Sequence, residues 1–145
     1  MSAASALARF PPTADAAGPA VPNAVTMVDG MPGFERCRHF VVMSSPDLEP
    51  LARLQGLDEA GPSFLALDPR VVLPEYEAVL PPADRRRLAA DENDSLLWLA
   101  LVRLEGRRVL VNMRAPVVIN PRRMIGLQVV PADSPYSTHH ELLLG

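Results

Sequence analysis

SLLWLALVRLEGRRVLVNMRAPVVINPRRMIGLQVV, residues 95–130, decides how this chain of 145 residues folds. Two apolar runs between Leu96 and Met113 are joined at Glu105-Gly106, the form of a tight hairpin in which glycine supplies the positive φ. The first run, LLWLALV, is apolar on both faces. It is therefore a strand covered on two sides, or its outward face meets a partner. Pro116 and Pro121 then interrupt the ladder twice within six residues, so PVVI (116–119) is either an edge strand or a strand that starts and ends at bends. Such corners suit a small barrel, and Gly126 marks a further bend, since strongly coiled sheets turn at glycine. Asn112 and Asn120 bond backbone groups freed at the two bends, or else contact a partner directly.

Outward from this stretch, short apolar runs separated by turn residues continue the rhythm of an all-β domain. The further candidate strands are VTMV (25–28), HFVVMS (39–44), SFLAL (63–67) and EYEAVL (75–80), with RRVLVNM (107–113) and MIGLQVV (124–130) completing the quoted region. DGMPGFE (29–35) reads as a compact loop because Gly30, Pro32 and Gly33 crowd it. Two fragments read as helix. PDLEPLARLQG (46–56) places Leu48, Leu51 and Leu54 on one face, with Asp47 as cap and Gly56 as stop. PPADRRRLAAD (81–91) starts at prolines and makes an exposed turn or two. The expectation is an all-β, small single-domain β-barrel-like fold with one or two short helical turns. Its β domain spans 23–141, between a disordered Ala/Pro-rich tail (1–22) and a C-terminal tail (142–145). No period of 20 to 50 residues recurs, which excludes a solenoid or propeller.

With 48% of its residues hydrophobic, the chain supports one domain with a real core. A net charge of -3 gives no long-range positive field to recruit nucleic acid or anionic membrane. The lone Cys37 makes no intrachain disulfide, the first residues lack an apolar signal core, and the run Leu96–Val102 falls far short of the roughly 18 to 20 residues that span a bilayer. The expected location is the cytoplasm, with no membrane partner.

Catalytic signatures are scarce: there is no P-loop, G-x-S-x-G, H-E-x-x-H or Gly-rich dinucleotide turn. Cys37 and His39 would share a face on a strand, the minimum geometry for a dyad, but read more plainly as a core thiol beside a half-exposed imidazole. His139-His140 point opposite ways if extended and read as a surface pair. Arg85-Arg86-Arg87, Arg107-Arg108 and Arg122-Arg123 could line one nucleic-acid-binding surface. The first two lie beside acids in the sequence, leaving only 122 and 123 without them, and four Phe, two Tyr and one Trp offer few platforms for bases. A small RNA-binding β-barrel is the alternative function this leaves. Acids cluster at DEND (91–94), with Asp68, Glu75 and Glu77 nearby, and read as a solvated acidic surface.

The order and spacing of GMPGFE (30–35), LARLQG (51–56), FLALDPRVVLPEYEAVLP (64–81), VNMRAPVVIN (111–120), GLQVV (126–130) and SPYSTHH (134–140) resemble the FliW family of flagellar assembly factors over roughly residues 25–140. The resemblance implies a β-barrel-like, cytoplasmic protein that is not an enzyme and needs no cofactor or metal. It implies a protein, monomeric when free, that binds flagellin and the RNA-binding regulator CsrA in a partner switch, without contacting nucleic acid itself. Unexported flagellin occupies the factor, and once flagellin leaves, the freed factor binds CsrA and relieves repression of flagellin message. The family pattern falls here on Pro32, Gly33, Phe34, Leu54, Gln55, Asn112, Ala115, Pro116, Asn120, Gly126, Gln128 and Tyr136. Phe34 and Leu54 read as core. Gln55, Asn112, Ala115, Pro116, Asn120, Gln128 and Tyr136 are the expected partner contacts. Arg114 puts a charge where the family usually carries an apolar residue.

Overall fold

The computed structural model describes residues 23–58, 61–77 and 79–142. The tail expected at 1–22 lies outside the described residues, as do 143–145, whereas Leu142 belongs to the last strand rather than to a tail. The described residues form β1 (Val25–Met27), β2 (His39–Met43), β3 (Ala52–Gly56), β4 (Ser63–Leu67), β5 (Leu97–Glu105), β6 (Arg108–Val111), β7 (Val117–Asn120), β8 (Ile125–Gln128) and β9 (His140–Leu142), with two short helices, α1 (Pro69–Val72) and α2 (Pro82–Arg87).

Seven strands close into a barrel in the order β5-β4-β3-β2-β1-β8-β7 and back to β5. All neighbours are antiparallel except β1 and β8, which run parallel with Thr26 opposite Ile125 and Met27 opposite Gly126. Alternation fills the interior: Val25, Met27, Phe40, Val42, Ala52, Leu54, Ala66, Leu97, Leu99, Val117 and Ile119 all point inward and are buried. Gly126 also faces inward, and its role is clearance rather than a bend. A Cβ there would lie 2.9 Å from Met27 Sδ and 3.1 Å from Ile119 Cγ1.

The LLWLALV strand is covered on both faces, one of the two arrangements its composition allows. Leu97 and Leu99 enter the barrel, while Trp98 packs outside with Leu88, Val118, Leu127 and Val129. Ala100 joins a third cluster with Leu67, Tyr76, Val111 and Met113. The outer layer over β7 and β8 is supplied by the segment around α2, which straps across the barrel through fully buried Leu88.

Three further expectations fail. Residues 46–56 are not a helix: Ala52, Leu54 and Gly56 are buried in alternation with outward Arg53 and Gln55, so the two-residue period of β3 prevails over the leucine spacing. The described residues of EYEAVL, 75–77 and 79–80, are irregular chain rather than a strand, with Tyr76 buried and Leu80 packed against the Leu88 cluster. Phe34 is not core; it is 46% exposed and meets the edge of Phe64 at 5.7 Å between ring centroids. Leu54, the other residue read as core, is fully buried. α1 and β9 were not anticipated. α1 starts at Asp68, whose carboxylate accepts from the Arg70 N–H at 2.9 Å, followed by Pro69 in the first turn.

Candidate protein-binding site

β6 and β7 are nearly one strand. Both run antiparallel to β5, with Val111 opposite Val102 and Val117 opposite Leu99. Between those pairs β5 advances three residues and the other chain six, so the Asn112–Pro116 segment loops out of the ladder with three residues in excess. β6 thereby leaves the barrel to pair with β9, while β7 stays in the wall beside β8. PVVI is a central strand with bends at both ends, not an edge.

Burying such a bulge requires partners for its backbone groups, and nearly all are found locally. The Asn112 N–H donates to Leu101 O at 2.9 Å and the Met113 N–H to Ser137 O at 2.9 Å. Asn112 Oδ1 accepts from the N–H groups of Arg114 and Ala115 at 3.1 and 3.0 Å. Tyr76 Oη donates to Met113 O at 3.2 Å, and Gln128 Nε2 donates to Ala115 O at 3.0 Å. Pro116 has no N–H to satisfy, and its carbonyl accepts from Val129.

The bulge is the wall of a narrow cleft of about 50 Å³ whose lining includes Tyr76, Trp98, Arg114, Pro116, Pro131 and Tyr136. The only Trp and both Tyr of the chain therefore meet at one place. The two tyrosine rings lie 4.5 Å apart, and Tyr136 Oη accepts from the Glu77 N–H at 2.9 Å, pinning the 73–77 segment against the bulge. Burial pushes the Tyr76 hydroxyl above the ordinary tyrosine range, with the neighbouring Tyr136 adding to the rise and Arg70 opposing it. Arg114 reaches over the 132–134 carbonyls at 3.4 Å, and Val79 and Val130 are 76% and 70% exposed. A tryptophan, two tyrosines and an arginine in one place are the composition of a binding hot spot.

Of the expected contacts, Asn112, Ala115, Pro116, Gln128 and Tyr136 assemble here. Their roles differ: Pro116 and Tyr136 line the cleft, whereas Asn112, Ala115 and Gln128 build its wall. Ala115 is only 8% exposed, so its side chain packs into the wall. Gln55 lies elsewhere, on β3, where Nε2 donates to Gly56 O at 3.1 Å. Asn120 is a correction. It is completely buried, its Nδ2 donating to Leu88 O at 2.9 Å and its Oδ1 accepting from the Arg122 N–H at 3.2 Å, so it ties the strap to the barrel and is unavailable to a partner. Sequence reasoning missed Trp98, Tyr76 and Arg114 as one group. The outward position of Trp98 in a strand apolar on both faces was the available signal.

The other candidate groups separate. Cys37 precedes β2 and is buried, its thiol donating to His39 O at 3.8 Å, while the His39 ring is exposed and pairs with Asp58 at 3.1 Å. Partial burial pushes the Asp58 carboxyl upward, but the N–H groups of Arg38 and His39 and the His39 ring outweigh it and hold it below the ordinary range. His139 Nδ1 hydrogen-bonds Thr138. Arg122 is not free of acids, because the fold brings Asp91 and Asp94 to 3.2 and 3.0 Å from it. Arg108 likewise meets Glu141 at 3.2 Å, and Arg87 pairs with Asp29. Among the described residues, no helix is long and apolar enough to cross a membrane.

A seven-stranded closed barrel with an aromatic cleft on the outside of its wall places the chain in the class of small closed β-barrels. Residues 17–142 match the FliW protein family, and the chain belongs to it. The flagellar assembly factor FliW of Syntrophotalea carbinolica is 35% identical over 83% of this chain and 86% of its own length. That of Anoxybacillus flavithermus is 34% identical, over 81% and 82%. A crystal structure of the flagellar assembly factor FliW superposes with a TM-score of 0.78 at 25% identity, over 84% of this chain and 86% of the other.

Proposed function

We propose that this flagellar assembly factor works by non-catalytic protein binding in the cytoplasm, as a monomer when free, taking newly made flagellin as one partner and CsrA as the other. Flagellin that has not been exported holds the factor; when it leaves, the factor binds CsrA and lifts repression of flagellin message. The observation that carries this reading is the convergence of Trp98, Tyr76 and Tyr136 with Arg114 and the exposed Val79. Such a cleft offers aromatic anchors whose side chains are already ordered, so little conformational entropy is lost on binding. The net charge of -3 fits the second half of the switch, because an acidic factor seated on CsrA repels RNA. The arginines' ion pairs with Asp29, Asp91, Asp94 and Glu141 leave less positive surface for direct RNA binding.

Calorimetric titration with flagellin, and separately with CsrA, from the same organism tests the proposal. Both should bind at 1:1, and Val79→Asp combined with Arg114→Glu should weaken at least one of them tenfold or more at unchanged thermal stability. Binding of neither partner by the unaltered protein would sink the reading.

A further inference from the structure

β4 and β5 run side by side only as far as the pair Leu65 and Val102. Beyond it β5 continues with β6, through Arg103 opposite Leu110 to Glu105 opposite Arg108, whereas β4 stays with β3 as far as Ser63 opposite Gln55. The two strands fork. The edge of β4 at Ser63 and Phe64 faces the edge of β5 at Arg103–Glu105, and among the described residues no strand pairs with either.

The fork opens a groove of about 600 Å³ with Phe64, Leu65, Leu101, Leu104 and Leu110 among its lining residues; Leu104 is 61% exposed. Its surroundings are basic. Arg53 donates from Nη1 to the hydroxyl of Ser63 at 3.1 Å, and Arg103 holds a side chain 60% exposed. The β5–β6 turn adds Arg107, and the start of β6 adds Arg108. Glu105 and Glu141 answer them, leaving four guanidinium groups to two carboxylates on a chain whose net charge is negative.

We propose that this fork is a second docking site, which takes up an extended segment of a partner protein by strand addition, the segment carrying a carboxylate between apolar residues. Strand addition needs open main-chain donors and acceptors for affinity and places for alternate side chains for selectivity. The edges of β4 and β5 supply the first. For the second, the apolar lining takes every other side chain and the carboxylate meets Arg103, whose five N–H donors are only partly used by Glu105. The exposed charges on β5 also explain why an open edge does not pair indiscriminately. This site is separate from the aromatic cleft and stands whether or not flagellin and CsrA are the partners there. The two are nonetheless adjoined: Asn112 lines the groove, and the bulge it braces carries Arg114 and Pro116 into the cleft.

The probe is a capped heptapeptide of alternating valine and threonine with glutamate at its centre, titrated into the full chain labelled with ¹⁵N. Saturable shifts should appear at the amides of residues 63–64 and 103–105, with slowed hydrogen exchange there. Arg103→Glu should weaken binding tenfold or more at unchanged melting temperature, and a lysine-centred peptide should recover it. Methylating alternate peptide nitrogens should abolish binding to the unaltered chain. The proposal is overturned by absence of shifts at these amides at millimolar peptide, by unchanged binding to Arg103→Glu, or by equal binding of the N-methylated peptide.

Discussion

Asn120 is buried completely, yet it is polar at every atom beyond Cβ, and what it contacts explains how that is tolerated. Its amide joins β7 to the carbonyl of Leu88, and its oxygen closes the turn at Arg122. Asn120→Ala leaves a buried carbonyl and an amide without partners, so unfolding in urea should show a loss of about 1–3 kcal/mol. A variant as stable as the parent would contradict this role. Asn112 does the same work at the other end of the strand, on the N–H groups of Arg114 and Ala115. The bonds to Arg122, Arg114 and Ala115 follow one of the two roles the sequence left open for these residues, because an asparagine at a bend satisfies backbone within a few residues of itself. The bond to Leu88, far away in the sequence, was not legible. The pairing of Arg122 with Asp91 and Asp94 was not, since its partners lie about thirty residues away and only the fold brings them near.

The elements show the same division between local and distant causes. β5 and its hairpin with β6 were legible because both the apolar runs and the turn glycine are local; Gly106 has φ +63 as expected. β9 was not, because His140-Glu141-Leu142 has no apolar alternation and is a strand only where β6 offers an edge. The strap around α2 depends likewise on what holds it. α2 itself has an acid, Asp84, in its first turn and Arg85–Arg87 in its last, an arrangement that suits the helix dipole. At its far end, Asp94 is held below the ordinary carboxylate range, chiefly by the N–H of Asp91; desolvation opposes this, and Arg122 and Asn120 add to the lowering. A depressed carboxylate stabilises the fold above its unfolded pKa and loses that contribution as pH falls through the folded value. The strap should therefore hold at neutral pH and loosen below about pH 4. The fluorescence of Trp98, the sole tryptophan and a neighbour of Leu88 in the packing, reports it. Asp94→Asn should shift that acid transition; an identical midpoint would show that Asp94 does not latch the strap.

At the scale of the whole molecule, the barrel interior leaves little room along the seam between β1 and β8. Gly126→Val would drive side-chain atoms into Met27, Ile119 and Val25, where even a Cβ lies within 3.2 Å of each. The expected loss is at least about 1–3 kcal/mol, visible as a lowered thermal midpoint, and an unchanged midpoint would mean the seam is looser than its geometry. That seam was invisible in the sequence, since nothing in VTMV or MIGLQVV names the other as its neighbour. It also sets an order of events. Ribosomes deliver the amino end first, so β1 emerges early and waits for residues 125 and 126, nearly the whole domain later, before the ring can shut. A chain interrupted anywhere before that point leaves β1 without its β8 neighbour. Each copy of the factor thus closes its barrel only after the segment carrying β8 has been made.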